Sequence, residues 1–242
     1  MRQRVRALGI LAATVVAAGQ LAACGLVQGK TFEDDSTLSG KITSVRLENR
    51  SGSVTVNGTK GDGGLSLHRK VTYRGDKPHG ATHRIEDGVL VLGGCSRCSV
   101  SYTVDVPAGV PVSGGTSNGS VHLTHVGAVK LSTSSGTIEL NGVSGPVEAR
   151  TSNGRISGHG ITGPRIQART SNGSIDLTLD TAQDVRARTS NGHISLTVPE
   201  ARYKVTAKAG NGARNIDVTD DPSGAHRLDL TTSNGAITVK HS

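Results

Sequence analysis

A chain of 242 residues with 33 glycines, no tryptophan, one phenylalanine and three tyrosines can fill only a narrow core of Val, Ile, Leu and Ala. That excludes a broad globular interior and points to a quasi-one-dimensional repeat protein. The formal charge of +8 falls to +5 once the first 23 residues, with Arg2, Arg4 and Arg6 and no acid, are set aside, and aromatic residues make up only 2%; a nucleic-acid partner, which needs a concentrated basic face and stacking platforms, is not expected.

Met1 to Arg6 is a basic n-region and Ala7 to Ala18 a short apolar run. Its length of about a dozen residues falls short of the ~20 that span a bilayer, so residues 1–23 read as a secretory signal peptide. Leu21-Ala22-Ala23-Cys24-Gly25 then resembles a bacterial lipobox. The resemblance implies diacylglycerol on the Cys24 thiol, cleavage before it and acylation of the new amino group. Each buried methylene adds ~0.8 kcal/mol of membrane affinity, so two or three chains would anchor the protein stably. Residues 24–40, with Glu33-Asp34-Asp35-Ser36, read as the lipidated cysteine and a polar tether, and 41–242 as one domain.

Val45-x-Leu47 and Val54-x-Val56 flank Ser51-Gly52 in the register of the later repeats, so the repeat begins near residue 42. Period-two runs at Leu65–Tyr73, Val89–Leu92 and Val100–Val106 predict longer, less regular strands. Cys95 and Cys98 lie between two of them. A signal peptide delivers these thiols to an oxidising compartment, where a disulfide pinning the turn is expected. A redox-active pair would need a helix N-terminus, which the strand-like flanks do not offer. A zinc site would need two of the scattered His68, His79 and His83.

From residue 113 the array becomes regular. Thr-Ser-Asn-Gly ends at Gly119, Gly154, Gly173, Gly192 and Gly235, with variant copies ending at Gly136 and Gly212; successive glycines lie 17, 18, 19, 19, 20 and 23 residues apart. Around each copy apolar residues alternate, so that Val121, Ile138, Ile156, Ile175, Ile194 and Ile237 form one column and Leu131, Ala149, Ala168, Ala187, Ala207 and Leu230 another. One unit cannot bury its apolar face alone, whereas stacked units can, which predicts an all-β fold: a β-solenoid, a parallel β-helix-like stack of ~19-residue repeats. The alternative is an antiparallel β-sandwich, since Asn-Gly is also a strong hairpin turn. In the solenoid Asn118, Asn153, Asn172, Asn191 and Asn234 cap the bends and bond to one another between coils.

The Thr-Ser-Asn-Gly-x-Ile repeats, the Val104-Asp105-Val106-Pro107-Ala108-Gly109-Val110 lead-in and the Ser51-Gly52-Ser53-Val54 unit resemble a family of bacterial cell-envelope domains known as "putative adhesins". The likeness covers roughly residues 41–242 and implies a β-strand-repeat domain of unknown function with no catalytic residues to carry over.

Stacking would align Arg150, Arg169, Arg188 and Lys208 as an outward ladder flanked by Ser132 and Thr231. Cations repeating at ~4.8 Å repel by about 1 kcal/mol per neighbour at water's dielectric and so favour an anionic counterpart, such as an acidic envelope polymer; a solvated face moderated by Glu148 is the plainer reading. Calcium is not expected, because no carboxylate follows the repeat glycines, and no other cofactor is implied. For glycan cleavage Glu139, Glu148, Asp176 and Asp184 are scattered singly, and Ser190 with His193 belongs to a repeated bend. The expectation is a lipid-anchored, extracytoplasmic, non-catalytic interaction module. The runner-up is an accessory or sensor lipoprotein of a membrane signalling system, and a polysaccharide-processing enzyme comes third.

Overall fold

The computed structural model describes residues 29–61 and 64–242; the expected signal peptide and Cys24 lie outside the described residues. All regular elements among them are strands. The opening segment holds β1 (Lys30–Thr37), β2 (Ser44–Glu48), β3 (Val54–Thr59), β4 (Ser66–Tyr73), β5 (His83–Glu86), β6 (Val89–Gly93) and β7 (Cys98–Pro107). The array follows as strand pairs: β8 (Val112–Asn118) with β9 (Val121–Thr124), β10 (Val129–Ser135) with β11 (Ile138–Asn141), β12 (Val147–Asn153) with β13 (Ile156–Ile161), and β14 (Arg165–Arg169) with β15 (Ile175–Leu179). The last pairs are β16 (Asp184–Asn191) with β17 (Ile194–Val198), β18 (Tyr203–Asn211) with β19 (Arg214–Ile216), and β20 (His226–Asn234) with β21 (Ile237–His241).

Each repeat turns a corner after its Asn-Gly or equivalent pair, so its two strands join different sheets while the side-chain alternation keeps the apolar positions between them. An 11-stranded sheet, β1-β4-β7-β3-β9-β11-β13-β15-β17-β21-β19, faces a 10-stranded sheet, β18-β20-β16-β14-β12-β10-β8-β2-β6-β5. The array pairs in parallel and in register: Ile138 opposite Ile156, Ile156 opposite Ile175 and Ile175 opposite Ile194 in the first sheet, Leu131 opposite Ala149 and Ala168 opposite Ala187 in the second. The fold is a β-solenoid. Ile138, Ile156 and Ile175 are completely buried, each contributing roughly 1.5–3 kcal/mol over exposure.

Among the described residues antiparallel pairing, the expected alternative, is confined to β1 with β4, β4 with β7 and β5 with β6 at the N-terminal pole. Asn-Gly does not make hairpins here because a two-residue type I′ turn needs positive φ at both central residues. Among the described residues the non-glycine ones with positive φ are Asp87, Arg97 and His125, none of them a repeat asparagine.

Chain order and spatial order part at both poles. The β2–β3 coil lies between the β6–β7 coil and the β8–β9 coil, and the last coil in sequence, β20–β21, lies between β16–β17 and β18–β19. Leu230 therefore stacks on Ala187, and Ala207 on Leu230. A column written in sequence order misplaces these two.

The expected tether is also corrected, since Lys30–Thr37 forms an edge strand antiparallel to β4. The alternation that reads as polar linker puts Phe32 and Asp34 on the face that turns toward the fold. Phe32 meets the Tyr73 ring edge-on at 5.9 Å between centroids, with the Lys77 ammonium 4.3 Å from its centre. Arg69, buried, grips the Asp34 carboxylate with two hydrogen bonds, the Nε–Oδ1 one 2.8 Å long. That grip holds the Asp34 carboxyl below its ordinary pKa. A third guanidinium nitrogen donates to the Gly80 carbonyl (3.3 Å) and the Thr82 hydroxyl (3.1 Å). The Tyr102 hydroxyl lies within 2.9 Å of the Thr82 and Gly93 carbonyls, and burial pushes its pKa up to about 12. This polar cluster closes the N-terminal pole.

Candidate interaction surface

The bends explain why the repeat is spelled Thr-Ser-Asn-Gly. The threonine points inward and donates to the glycine carbonyl one coil back: Thr133 to Gly119 (3.5 Å), Thr151 to Gly136 (3.2 Å), Thr170 to Gly154 (3.1 Å), Thr189 to Gly173 (2.9 Å) and Thr232 to Gly192 (2.9 Å). The asparagines form an amide ladder, each Nδ2 donating to the Oδ1 of the preceding coil in the stack: Asn172 to Asn153, Asn191 to Asn172 and Asn234 to Asn191 at 2.9 Å, and Asn211 to Asn234 at 2.8 Å. Asn118 instead pairs its backbone with the Ser51–Gly52 bend.

The glycines do more than permit a dihedral. A Cβ on Gly173 or Gly192 would stand 2.0 Å from the glycine oxygen of the coil below, and at Gly119, Gly136, Gly154 and Gly235 the same clash recurs at 2.0–2.1 Å. Coils at strand spacing leave no room for a methyl group at this edge.

On the outer face of the 10-stranded sheet the register sets Ser132, Arg150, Arg169 and Arg188 side by side on β10, β12, β14 and β16. Thr231 comes next and Lys208 only after it, because β20 intervenes. Three arginines are consecutive and the lysine is set apart. The neighbouring column reads Lys130, Glu148, Gln167, Arg186, Asp229. Glu148 accepts from Arg150 at 2.7 Å and lies 3.8 Å from Lys130; Asp229 accepts from Arg186 at 2.9 Å and Arg188 at 3.2 Å. Arg169, between the two carboxylates, has no ion-pair partner among the described residues.

Two shallow hollows flank Arg169. One is lined by Arg150, Gln167, Arg186 and Arg188, the other by the hydroxyls of Ser132, Ser134, Ser152 and Ser171 with Arg150. Asp229 and Arg186 were not legible as part of this surface. Asp229 follows Arg188 by more than forty residues and meets it only through the exchanged coil order.

The four carboxylates considered for catalysis do not converge. Glu139 and Asp176 are two strands apart on the other sheet, bonded to His122 (2.8 Å) and His193 (3.0 Å); Glu148 holds Arg150, and Asp184 accepts from the Arg227 backbone (2.9 Å). Ser190 and His193 flank one bend of the array, and His193 is spent on Asp176. Cys95 and Cys98 are disulfide-bonded with Cα atoms 5.6 Å apart, so neither is a thiolate zinc ligand. His68 is occupied by Asp35 at 2.8 Å, and burial lowers the His83 pKa. Among the described residues no three His, Cys, Asp or Glu side chains are grouped to hold a metal.

A family profile for Toastrack DUF4097 matches residues 112–240, from the start of β8 into β21. The chain belongs to the Toastrack DUF4097 family. The coil stack just described, with its edge of bonded threonines, asparagines and glycines, is the Toastrack domain of this chain. A "putative adhesin" of Bacteroides fragilis is similar in fold, with 14% identity, a TM-score of 0.51 and coverage of 88% of this chain and 97% of that one. A "putative adhesin" of Parabacteroides distasonis matches at 10% identity and TM-score 0.47 over 89% and 98% of the two chains. A "putative cell adhesion protein" of Clostridium sporogenes matches at 15% and 0.40 over 88% and 100%. No curated protein matches the chain.

Proposed function

We propose that this Toastrack protein is a lipid-anchored, extracytoplasmic, non-catalytic binding module whose basic column holds an anionic polymer of the cell envelope. The observation that carries the reading is the register of Arg150, Arg169 and Arg188 on adjacent strands. Guanidinium groups there repeat at about 4.8 Å on a rigid sheet, beside rows of serine hydroxyls, and Arg169 keeps its donors free of carboxylate. Such a row suits a chain of phosphates or uronates better than a single small anion. The lipobox around Cys24 supports presentation at the membrane surface.

Binding of the full chain to polyglycerol phosphate and to polygalacturonate, with neutral dextran as control, tests this. Affinity should fall with salt, and Arg169→Glu should weaken it at least fivefold, the equivalent of about 1 kcal/mol for one water-exposed charge contact. Lys208→Glu, beyond Thr231, should matter less. Unchanged binding by Arg150→Glu/Arg169→Glu/Arg188→Glu refutes the strip.

A further inference from the structure

We propose that the corner where the chain enters the fold, at Gly29, docks on the phosphate headgroups of an anionic bilayer; this rests on the lipid anchor at Cys24. Gly29 lines a surface hollow together with Arg74, Arg97, Thr72, Ser51 and Ser99, formed where β1 begins, β4 ends and β7 begins. Five peptide steps separate Gly29 from Cys24, at most ~3.6 Å each, so a lipidated cysteine holds this corner within about 18 Å of the membrane plane. Within that reach, a position close to the surface brings cations inside the ~8–10 Å range over which its potential acts.

The charges at the corner are of one kind and uncommitted. Lys30, Arg74 and Arg97 are exposed, and none has an ion-pair partner among the described residues. Three other cations of the same pole are spent: Arg69 on Asp34, Lys70 on Glu33, and Arg84 on Glu48 and Glu86. Glu33 and Asp35 are taken by Lys70 and His68. The acid closest in sequence is Asp76, exposed in the loop after Arg74 and not paired with it.

Arg97 is also held in an unusual way. It sits between the disulfide-bonded Cys95 and Cys98 with φ of 59°, a left-handed conformation that side chains other than glycine, asparagine and aspartate seldom take. A turn that needs this φ would ordinarily carry glycine. Arginine there places a cation at the tip of a cross-linked turn, beside the point where the chain comes from the membrane.

The test uses the full acylated chain in vesicles of phosphatidylcholine alone and of phosphatidylcholine with 30% phosphatidylglycerol. The mass of the N-terminal peptide and sedimentation with pure phosphatidylcholine read the anchor. Hydrogen exchange at the amides of residues 72–75 and 96–99 reads docking. Exchange there should be slower in the anionic vesicles, and that difference should vanish in 0.5 M salt and in Arg74→Gln/Arg97→Gln, while protection across β12, β14 and β16 stays at the wild-type level. An acylated chain that sediments with both vesicles yet exchanges equally in both overturns the docking and leaves the anchor standing. A chain without acyl mass overturns the anchor and the docking with it. Equal slowing by inorganic phosphate without vesicles overturns the bilayer as the partner.

Discussion

Six threonines occupy the inward position before a bend, and one of them differs in a way that predicts a change of sign. Five donate to the glycine carbonyl of the coil below, whereas the Thr116 hydroxyl is buried without a partner. Its equivalent acceptor is the Gly52 carbonyl, which already takes the Asn49 amide at 3.3 Å; the same amide donates to Val100 at 2.7 Å. Valine has the shape of threonine without the hydroxyl. Thr189→Val removes a 2.9 Å bond and deprives the Gly173 oxygen of its donor, which should cost about 1–2 kcal/mol. Thr116→Val removes a polar group that was desolvated for nothing and should stabilise the fold by about 1 kcal/mol. Urea unfolding of the two variants reads a difference of roughly 2–3 kcal/mol between them. Equal destabilisation by both would show that the hydroxyl-to-carbonyl bonds are not what the threonines contribute.

Gly173→Ala sets a methyl 2.0 Å from the Gly154 oxygen at φ of 152°, and should cost more than 3 kcal/mol or prevent folding, read as soluble yield and urea midpoint. Asp34→Asn should destabilise at pH 6, and the gap to wild type should close as pH falls below the ordinary aspartate value of 3.8: a depressed folded pKa gives stability that is present above the unfolded pKa and lost as pH drops through the folded one. Replacing Cys95 and Cys98 together by alanine opens a loop of only four residues, so chain entropy predicts a loss of about 2 kcal/mol, measurable by thermal unfolding with and without reductant. Tyr102→Phe should cost about 1–3 kcal/mol, since it removes the donor shared by the Thr82 and Gly93 carbonyls.

The array was legible because its signal is redundant. Period-two alternation, an identical bend phrase and a constant spacing all point to one register, and Ile156, Ile175 and Ile194 stack as their recurrence implies. The poles were not legible, because there the chain departs from repetition. β1 hides in an acidic stretch whose apolar content is one phenylalanine, and its place depends on Arg69, which lies 35 residues away from Asp34 and shows no local pattern. For the bend glycines the closer constraint is not φ but a carbonyl one coil below, visible only once coils are stacked.

The exchanged order at the C-terminal pole bears on the surface as well as on the fold. Had the coils followed sequence order, Lys208 would lie beside Arg188 and extend the cationic row to four. Inserting β20 instead puts Thr231 in that row and Asp229 beside Arg186 and Arg188. The row is thereby bounded, with Glu148 drawing on Arg150 at one end and Asp229 on Arg188 at the other. Arg169 is left as the cation whose field is least cancelled. Three guanidiniums over two strand spacings span about 10 Å, which fits two or three successive anionic groups of a polymer. Asp229→Asn therefore tests the surface from its edge. It frees Arg186 and Arg188 together, and because it removes one charge where Arg169→Glu reverses one, it should raise affinity for polyglycerol phosphate by about half, in free energy, of what Arg169→Glu costs, with no effect if the polymer binds elsewhere.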